Sequence, residues 1–209
     1  MRTTPAHVGR GTGTQGDDVA TISIIGTGNM GNAIGGVLTD GGSDVQYVSH
    51  AQMATAPLAG TVILAVPYPA LEEIVAVRGD DLAGKTVVDI TNPVDFETFD
   101  GLVVPPDGSA AAELQAALPS SAVLKAFNTT FAATLATKQV GGRTTTVLIA
   151  GDDDDAKAAL ASAVDAGGVL TMDAGRLARA RELEALGFLQ LTLAAGERIG
   201  WDAGFVLVP

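Results

Sequence analysis

The chain has 209 residues, of which 47% are hydrophobic and 17% are charged, and it carries a net charge of −12. This composition predicts a folded chain with a sizeable core, and the acidic balance argues against nucleic acid and anionic membranes as partners, because phosphate groups are bound by clustered Lys and Arg. The chain contains no cysteine and only two histidines, His7 and His50, so disulfides, thiolate or His-carboxylate metal sites and Ser-His-Asp triads are not expected.

The first 18 residues are polar, with Gly and Thr prominent. They lack the apolar segment of a secretory signal, and we interpret residues 1–18 as a disordered arm. No apolar run in the rest of the chain reaches the ~18 residues that a membrane span requires. The cytoplasm is therefore the expected location.

Residues 20–42 read ATISIIGTGNMGNAIGGVLTDGG. The apolar run at the start of this stretch is typical of a buried parallel strand. Gly26, Gly28 and Gly31 follow with the G-x-G-x-x-G spacing, and apolar residues then recur with helical periodicity. Gly26 would permit the tight turn, Gly28 the approach of a pyrophosphate, and Gly31 the close packing of helix and strand. A dinucleotide site is therefore predicted, with a glycine-rich turn that binds nothing as the alternative.

The rest of the chain alternates between predicted strands and helices. Apolar runs predict further strands at residues 43–49, 61–66, 86–90, 122–127, 145–150 and 169–172. Helical periodicity and capping residues predict helices near residues 70–77, 109–118, 130–137, 152–166 and 176–200. This alternation favours an α/β fold with a doubly wound, mainly parallel sheet. The last helix is apolar around most of its circumference, which is more than one core-facing stripe requires. A second subunit or a ligand cleft would cover the apolar surface that the core leaves exposed.

Ligands of such sheets bind beyond the carboxyl ends of the strands, so the residues after each strand are candidates for a site. Ser49 and His50 follow the second strand. An NAD-preferring site usually has Asp or Glu there, to accept hydrogen bonds from the ribose hydroxyls. A hydroxyl and an imidazole instead suit the 2′-phosphate of NADP(H). NADP(H) is therefore the favoured nucleotide, with a polar turn that has no binding role as the alternative.

The third, fourth and fifth strands are also followed by candidate ligand contacts. Val66, Pro67 and Tyr68 follow the third strand and could form a wall on the nicotinamide-ribose side, although Tyr68 could equally be a packing residue at a wet boundary. The later strands are followed by polar residues able to hydrogen-bond a carboxamide or an electron acceptor: Asn92, Asn128 and Thr130. Each alone is more often a turn or cap residue, but all converge on one edge of the sheet.

We predict structural roles, rather than roles in catalysis or metal binding, for two groups of charged residues. Lys125 lies in a predicted buried strand and is expected to pair with a carboxylate such as Asp89. The four aspartates at residues 152–155 are expected to cap a helix rather than to bind a metal. No general acid or base is evident, and no catalytic residue is assigned, because direct hydride transfer between two rings needs alignment and exclusion of water more than proton transfer.

Several stretches of this sequence resemble the F420-dependent NADP reductase family and the related oxidoreductase domains of the STEAP metalloreductases. They are IIGTGNMG at 24–31, VILAVPY at 62–68, VVDITNP at 87–93, LKAFNTT at 124–130, AGDD at 150–153 and DAGRLARARELEALGFLQL at 173–191. The resemblance implies a Rossmann-type NADP(H)-binding domain at residues 19–172, with a small C-terminal helical cap at residues 173–209 that contributes to a homodimer.

The resemblance also implies roles for individual residues. By position, the pyrophosphate contacts fall on Thr27, Gly28, Asn29 and Met30, and the 2′-phosphate contacts fall on Ser49 and His50. The nicotinamide contacts fall on Val66, Ala70, Asn92 and Ala132, and the acceptor contacts on Asn128 and Thr130. His50 stands where the family usually has arginine, and Asn128 where the archaeal F420 enzymes have histidine.

The function expected from sequence is an NADP(H)-dependent oxidoreductase that transfers hydride between nicotinamide and a small-molecule acceptor, either F420 or a flavin-like molecule. A non-catalytic NADP(H)-binding sensor is the first alternative. The second is an enzyme similar to pyrroline-carboxylate reductase or ketopantoate reductase, which generally has a larger C-terminal helical domain than the residues after 173 provide.

Overall fold

The computed structural model describes residues 20–207, so the predicted arm at residues 1–18 lies outside the described residues. The strands in this range are β1 (Thr21–Ile25), β2 (Asp44–Val48), β3 (Thr61–Leu64), β4 (Thr86–Asp89), β5 (Ala122–Lys125), β6 (Gln139–Val140), β7 (Arg143–Thr144), β8 (Thr146–Gly151) and β9 (Leu170–Gly175). The α-helices are α1 (Asn29–Asp40), α2 (Ala70–Leu82), α3 (Ala110–Ala117), α4 (Ala132–Ala136), α5 (Asp154–Ala166) and α6 (Ala180–Ala195). Single turns of 3-10 helix lie at His50–Gln52 and Leu177–Arg179.

Seven of the strands form one sheet in the order β2-β1-β3-β4-β5-β8-β9. Neighbouring strands are parallel except β5 and β8, which pair antiparallel. β1 lies between β2 and β3, so the direction of winding reverses at β1, and the crevice at this point is where such sheets bind ligands. The α/β fold with a doubly wound, mainly parallel sheet is therefore confirmed.

The connection before β8 contains no long helix, in keeping with the antiparallel entry of this strand. Residues 126–145 join β5 to β8 and contain the five-residue helix α4 and the hairpin of β6 and β7. A parallel partner needs a crossover that carries the chain back along the full length of the sheet, usually a longer helix. The sequence did not predict this hairpin, because each of its strands has only two residues.

Helices cover both faces of the sheet and bury two apolar clusters. α1 contacts α4 and α5 on one face, and α3 contacts α2 and α6 on the other. Successive residues of a strand point to opposite faces, and accordingly Ile24 belongs to the first cluster and Ile25 to the second. The predicted cap by Ser109 is present, since its hydroxyl oxygen accepts a hydrogen bond from the backbone N–H of Ala112 at 3.1 Å.

The C-terminal part of the described chain continues the same fold. The predicted boundary between residues 172 and 173 falls inside β9, and the predicted helix at 176–200 is a 3-10 turn followed by α6. α6 lies on the sheet beside α3, with Leu183 buried and Leu189 half exposed. None of the helices described between residues 20 and 207 has the length and apolar character needed to cross a membrane.

Candidate functional site

The turn between β1 and α1 requires glycine at two positions. Gly26 has a φ of +118°, and a Cβ atom there would lie 2.1 Å from the backbone oxygen of Ala65. A Cβ atom on Gly31 would lie 2.5 Å from the backbone oxygen of Gly26. The backbone N–H of Gly26 also donates a hydrogen bond to Val48 O at 3.0 Å, which ties the turn to the end of β2. These two glycines therefore hold β1, α1 and β3 close together, as their positions in the motif predict.

Gly28 serves a different purpose, because its side-chain direction faces open space. A Cβ atom there would meet no described residue within 4 Å, and the backbone of Gly28 is extended, with a φ of −75°. Gly28 is the N-cap of α1, no side chain among residues 20–207 caps this helix end, and the first turn of the helix contains no acidic residue. The first N–H groups of a helix lack intrahelical acceptors and carry partial positive charge. This end of α1 is therefore suited to bind a phosphate group.

A cavity of about 170 Å³ lies on one side of the glycine turn and is here called the β2-side cavity. It is lined by Ile25, Gly26, Thr27, His50, Met53, Val66, Ala70, Glu73 and Ile74. His50 is exposed at the start of its 3-10 turn. The hydroxyl of Ser49 donates a hydrogen bond to Gln52 Oε1 at 2.8 Å and forms a capping box with it, which fixes the direction of the chain at His50.

The β2-side cavity contains a carboxylate that the strand-end pattern did not reveal. Glu73 reaches the cavity from α2 rather than from the end of β2. Val66 and Ala70 also line this cavity, so the structure groups them with His50 and not with Asn92 and Ala132.

A second cavity of about 450 Å³ lies on the other side of the N-terminus of α1 and is here called the β5-side cavity. Its volume falls in the range of ~300–1,000 Å³ that is usual for small-molecule sites. It is lined by Asn29, Met30, Ile90, Asn92, Phe127, Asn128, Thr130, Phe131, Ala132, Ala133, Leu191 and Trp201. The structure thus brings together four residues that the sequence predicted for the nicotinamide and the acceptor: Asn92, Asn128, Thr130 and Ala132.

Two asparagines from neighbouring strands form the inner wall of the β5-side cavity. Asn92 Nδ2 donates to Asn128 O at 2.9 Å, and Asn128 Nδ2 donates to Asn92 Oδ1 at 3.0 Å and to Leu183 O at 2.8 Å. These contacts fix the orientation of the Asn128 amide. Its Oδ1 atom is buried and has no hydrogen-bond partner among the described residues. A buried acceptor without a partner is costly, and a carboxamide N–H of a ligand would supply one.

The chain is strained where it enters this wall. Phe127, directly before Asn128, is fully buried and has a φ of +63°. Positive φ is uncommon for a bulky residue, and such strain concentrates at ligand sites. The hydroxyl of Thr130 and its backbone N–H both donate to Phe127 O, at 2.7 Å and 3.0 Å. The turn that carries Asn128 and Thr130 is therefore held in one conformation.

Helix α6 reaches the asparagine pair through a glycine, which gives a first testable prediction. A Cβ atom on Gly187 would lie 2.3 Å from Asn92 Oδ1 and 2.8 Å from Asn128 O. We expect Gly187→Ala to separate the two asparagines and to lower the free energy of unfolding by about 1–3 kcal/mol, the usual cost of overpacking. Urea unfolding measures this change. Gly79→Ala is the control, because its nearest neighbours would be 3.8 Å away and stability should not fall.

A buried network of ion pairs stabilises the segments that carry Asn92 and Asn128. Lys125 Nζ lies 2.8 Å from Asp89 Oδ2, 2.8 Å from Glu184 Oε1 and 2.6 Å from Thr91 O, and the three ionic side chains are fully buried. Glu184 also accepts hydrogen bonds from the N–H groups of Ala110 and Ala111 at the start of α3. Burial raises the pKa of Glu184, and Lys125 acts in the opposite sense. The predicted pairing of Lys125 with Asp89 is confirmed, whereas Glu184 was not foreseen.

Tyr68 and Pro67 lie outside both cavities. The hydroxyl of Tyr68 donates to Glu113 Oε2 at 2.6 Å, and its ring lines a separate groove between α2 and α3. Burial and this hydrogen bond raise the pKa of Tyr68 to about 12. Pro67 is exposed just before α2. The packing alternative for Tyr68 is the one that agrees with these contacts.

Of the four aspartates at residues 152–155, one caps the helix as predicted. Asp153 accepts a hydrogen bond from Ala156 N at 2.9 Å and caps α5. Asp152 pairs with Arg176 at 2.9 Å, and Asp154 pairs with Lys157 at 3.0 Å. Within residues 20–207, no group of three or more acidic or histidine side chains is placed to hold a metal ion.

Six residues that line the β5-side cavity were not predicted from the sequence: Ile90, Phe127, Phe131, Ala133, Leu191 and Trp201. Phe131 directly precedes α4, and Leu191 lies on α6, which the sequence predicted to cover a cleft or a subunit. Trp201 follows α6 in a segment without regular secondary structure, so no periodicity marked it.

No protein-family model and no curated protein matches the sequence. Solved structures do match. A protein from Arthrobacter sp. FB24 with the provisional description F420-dependent NADP reductase superposes with a TM-score of 0.75 at 24% identity, over 90% of this chain and 99% of that one. The hypothetical protein SMa0349 from Sinorhizobium meliloti has a TM-score of 0.65 at 28% identity, over 77% of this chain and 87% of that one.

A third match is a reductive aminase from Aspergillus terreus, solved in complex with NADPH and ethyl levulinate. Its TM-score is 0.56 at 15% identity, over 86% of this chain and 63% of that one. These similarities confirm the Rossmann-type fold.

Proposed function

We propose that this protein is an NADP(H)-dependent oxidoreductase that passes hydride between the nicotinamide ring and a flavin-like or deazaflavin acceptor. One observation carries the proposal: two cavities flank the N-terminus of α1, and Gly28 between them leaves open space in front of the free N–H groups. A dinucleotide has the matching shape, with its pyrophosphate between two larger ends. The fold similarity to proteins named as NADP reductases and to a structure solved with NADPH supports it.

The residues of the site fit the parts of NADP(H). The backbone from Thr27 to Met30 would hold the pyrophosphate, as helix N-termini do in this fold. His50 would approach the 2′-phosphate, with Val66 and Ala70 forming the apolar wall of the β2-side cavity. Asn128 Oδ1, which lacks a partner, would accept a hydrogen bond from the nicotinamide carboxamide.

Hydride transfer requires the protein mainly to align the nicotinamide ring with the acceptor ring and to exclude water. Bound NADPH supplies a hydride from C4 of its dihydronicotinamide ring, and reduction of the acceptor is completed by a proton from solvent. None of the described residues that line the β5-side cavity carries a charged side chain. Phe127, Phe131 and Leu191 exclude water there, and the asparagine pair fixes the orientation of the ring's carboxamide.

Turnover tests the proposal. NADPH oxidation is followed in the presence of F420, FMN, FAD and riboflavin in turn, with NADH as the alternative donor. We expect oxidation of NADPH with at least one of these acceptors. Binding of NADPH without turnover of any of them would instead favour the sensor alternative.

The choice of NADPH over NADH gives a second prediction. We expect His50→Ala to weaken NADPH binding by about tenfold, equivalent to about 1.4 kcal/mol, because a charged hydrogen bond to the 2′-phosphate is lost. Binding of NADH should change by less than about twofold, since it lacks that phosphate. Fluorescence titration with both nucleotides measures the ratio of their dissociation constants. Equal losses of NADPH and NADH affinity in His50→Ala would contradict the assignment of His50 to the 2′-phosphate.

A variant of Glu73 should change the preference for NADPH in the opposite direction to His50→Ala. Its carboxylate shares the β2-side cavity with His50, and like charges repel. We therefore expect Glu73→Gln to strengthen NADPH binding relative to NADH binding. A fall in the ratio of NADPH affinity to NADH affinity in Glu73→Gln would show that Glu73 does not face the phosphate.

A further inference from the structure

Trp201 is the only tryptophan of the chain, and 55% of its surface remains exposed although it lines the β5-side cavity. Its ring centroid lies 5.1 Å from that of Phe131, with the planes tilted by 53°. Tryptophan offers a large flat apolar surface, and such surface is ordinarily buried or occupied by a partner. Trp201 and Phe131 therefore form one edge of the β5-side cavity, and about half of the Trp201 surface remains exposed there.

The segment that carries Trp201 is anchored to the body of the protein. Gly204 lies against Val140 of the β6–β7 hairpin and against the buried amide of Gln190 on α6. The backbone N–H of Ala203 donates to Gly200 O at 3.1 Å and forms a turn that contains Trp201. These contacts position the backbone of the segment, and the indole ring itself packs against Phe131.

Charge around this aromatic pair points to the kind of ring that it accepts. The described lining of the β5-side cavity is uncharged, and the residue next to Trp201 is Asp202, whose carboxylate folds back toward Gly200. A phosphate or carboxylate group placed in this cavity would gain no ionic contact from the described lining, and the carboxylate of Asp202 beside Trp201 would repel it.

We infer that Trp201, held by Phe131, stacks on the planar ring of the acceptor, and that the uncharged surroundings of this ring pair favour an uncharged acceptor over an anionic derivative of the same ring. This inference rests on the proposed function, because it places the acceptor in the β5-side cavity beside the nicotinamide. Riboflavin and FMN form the matched probe pair. They share one tricyclic ring system and differ by a phosphate group.

The test measures KM for riboflavin and for FMN at saturating NADPH in the wild type and in three variants. We expect Trp201→Ala to raise the riboflavin KM by about tenfold, a change of about 1.4 kcal/mol that matches the loss of one stacked ring. Trp201→Phe keeps an aromatic ring and should raise KM by only about threefold. Phe205→Ala is the control, since Phe205 is exposed in the same segment and does not line the cavity.

The dissociation constant of NADPH should stay unchanged in Phe205→Ala and should change much less than the riboflavin KM in the two Trp201 variants, which separates acceptor binding from general damage to the site. Riboflavin should have a lower KM than FMN in the wild type, and added salt should narrow the difference by screening repulsion. An unchanged riboflavin KM in Trp201→Ala, or a lower KM for FMN than for riboflavin, would overturn the inference while leaving the proposed function in place. Failure of the wild type to bind NADPH would overturn both.

Discussion

Gly28→Val is expected to weaken the binding of NADPH and of NADH by at least about 100-fold, equivalent to about 2.7 kcal/mol, while the protein stays folded. A valine side chain would occupy the open space in front of the N–H groups of α1, where the pyrophosphate is proposed to lie. We expect the fold to tolerate the change, because Gly28 has a negative φ and a Cβ atom there would meet none of the described residues within 4 Å. Isothermal titration with each nucleotide measures the loss.

Gly36→Val is the matched control for this prediction. Gly36 lies on α1, and a Cβ atom there would also meet nothing within 4 Å in the part of the chain that the structure describes, but Gly36 is about two turns away from Gly28. Nucleotide affinity should be unchanged in that variant. Gly28→Val with wild-type affinity for NADPH would show that the phosphates do not pass this turn.

Lys125→Met is expected to lower the free energy of unfolding by about 3–5 kcal/mol at pH 7, the usual cost of leaving a buried charge unpaired. Asp89 and Glu184 would then face each other with no cation between them. Urea unfolding monitored by circular dichroism measures the loss. Lys138→Met is the control, because its pair with Asp40 is exposed to solvent and such pairs contribute at most about 1 kcal/mol.

The cost of Lys125→Met should depend on pH in a defined direction. Burial already raises the pKa of Glu184 in the native protein, and removal of the lysine raises it further. A carboxyl whose pKa is higher in the folded state binds protons more readily when folded, so its contribution to stability falls as pH rises above the unfolded value. The difference between variant and wild type should therefore shrink as pH is lowered from 7 toward 5.

A double variant separates the charge from the packing. Lys125→Met with Glu184→Gln removes one unpaired carboxylate and should recover part of the lost stability. A double variant no more stable than Lys125→Met would show that the loss comes from packing and not from charge.

Local patterns in the sequence were sufficient for the fold and for the glycine turn. Gly26, Gly28 and Gly31 have a spacing that depends only on the turn they form, and short apolar runs located the sheet strands. Lys125 could be paired with Asp89 because both lie in adjacent predicted strands. The turn of the motif and the parallel sheet thus required no knowledge of distant contacts.

The site features that were missed come from segments that are distant in the sequence. Glu184 reaches Lys125 from a helix 59 positions later in the chain. Glu73 enters the β2-side cavity from α2, and Trp201 enters the β5-side cavity from a segment with no periodicity. Val66 and Ala70 were assigned to the nicotinamide, and only the three-dimensional structure groups them with His50.

Direct titration of the wild-type protein with NADPH tests whether the glycine turn binds a dinucleotide. We expect saturable binding to one site per chain with a Kd on the order of micromolar, about −8 kcal/mol, and weaker binding of NADH. Quenching of the Trp201 fluorescence reports the same event from the β5-side cavity. An absence of binding by NADPH and NADH alike would contradict the assignment of the glycine turn as a dinucleotide site.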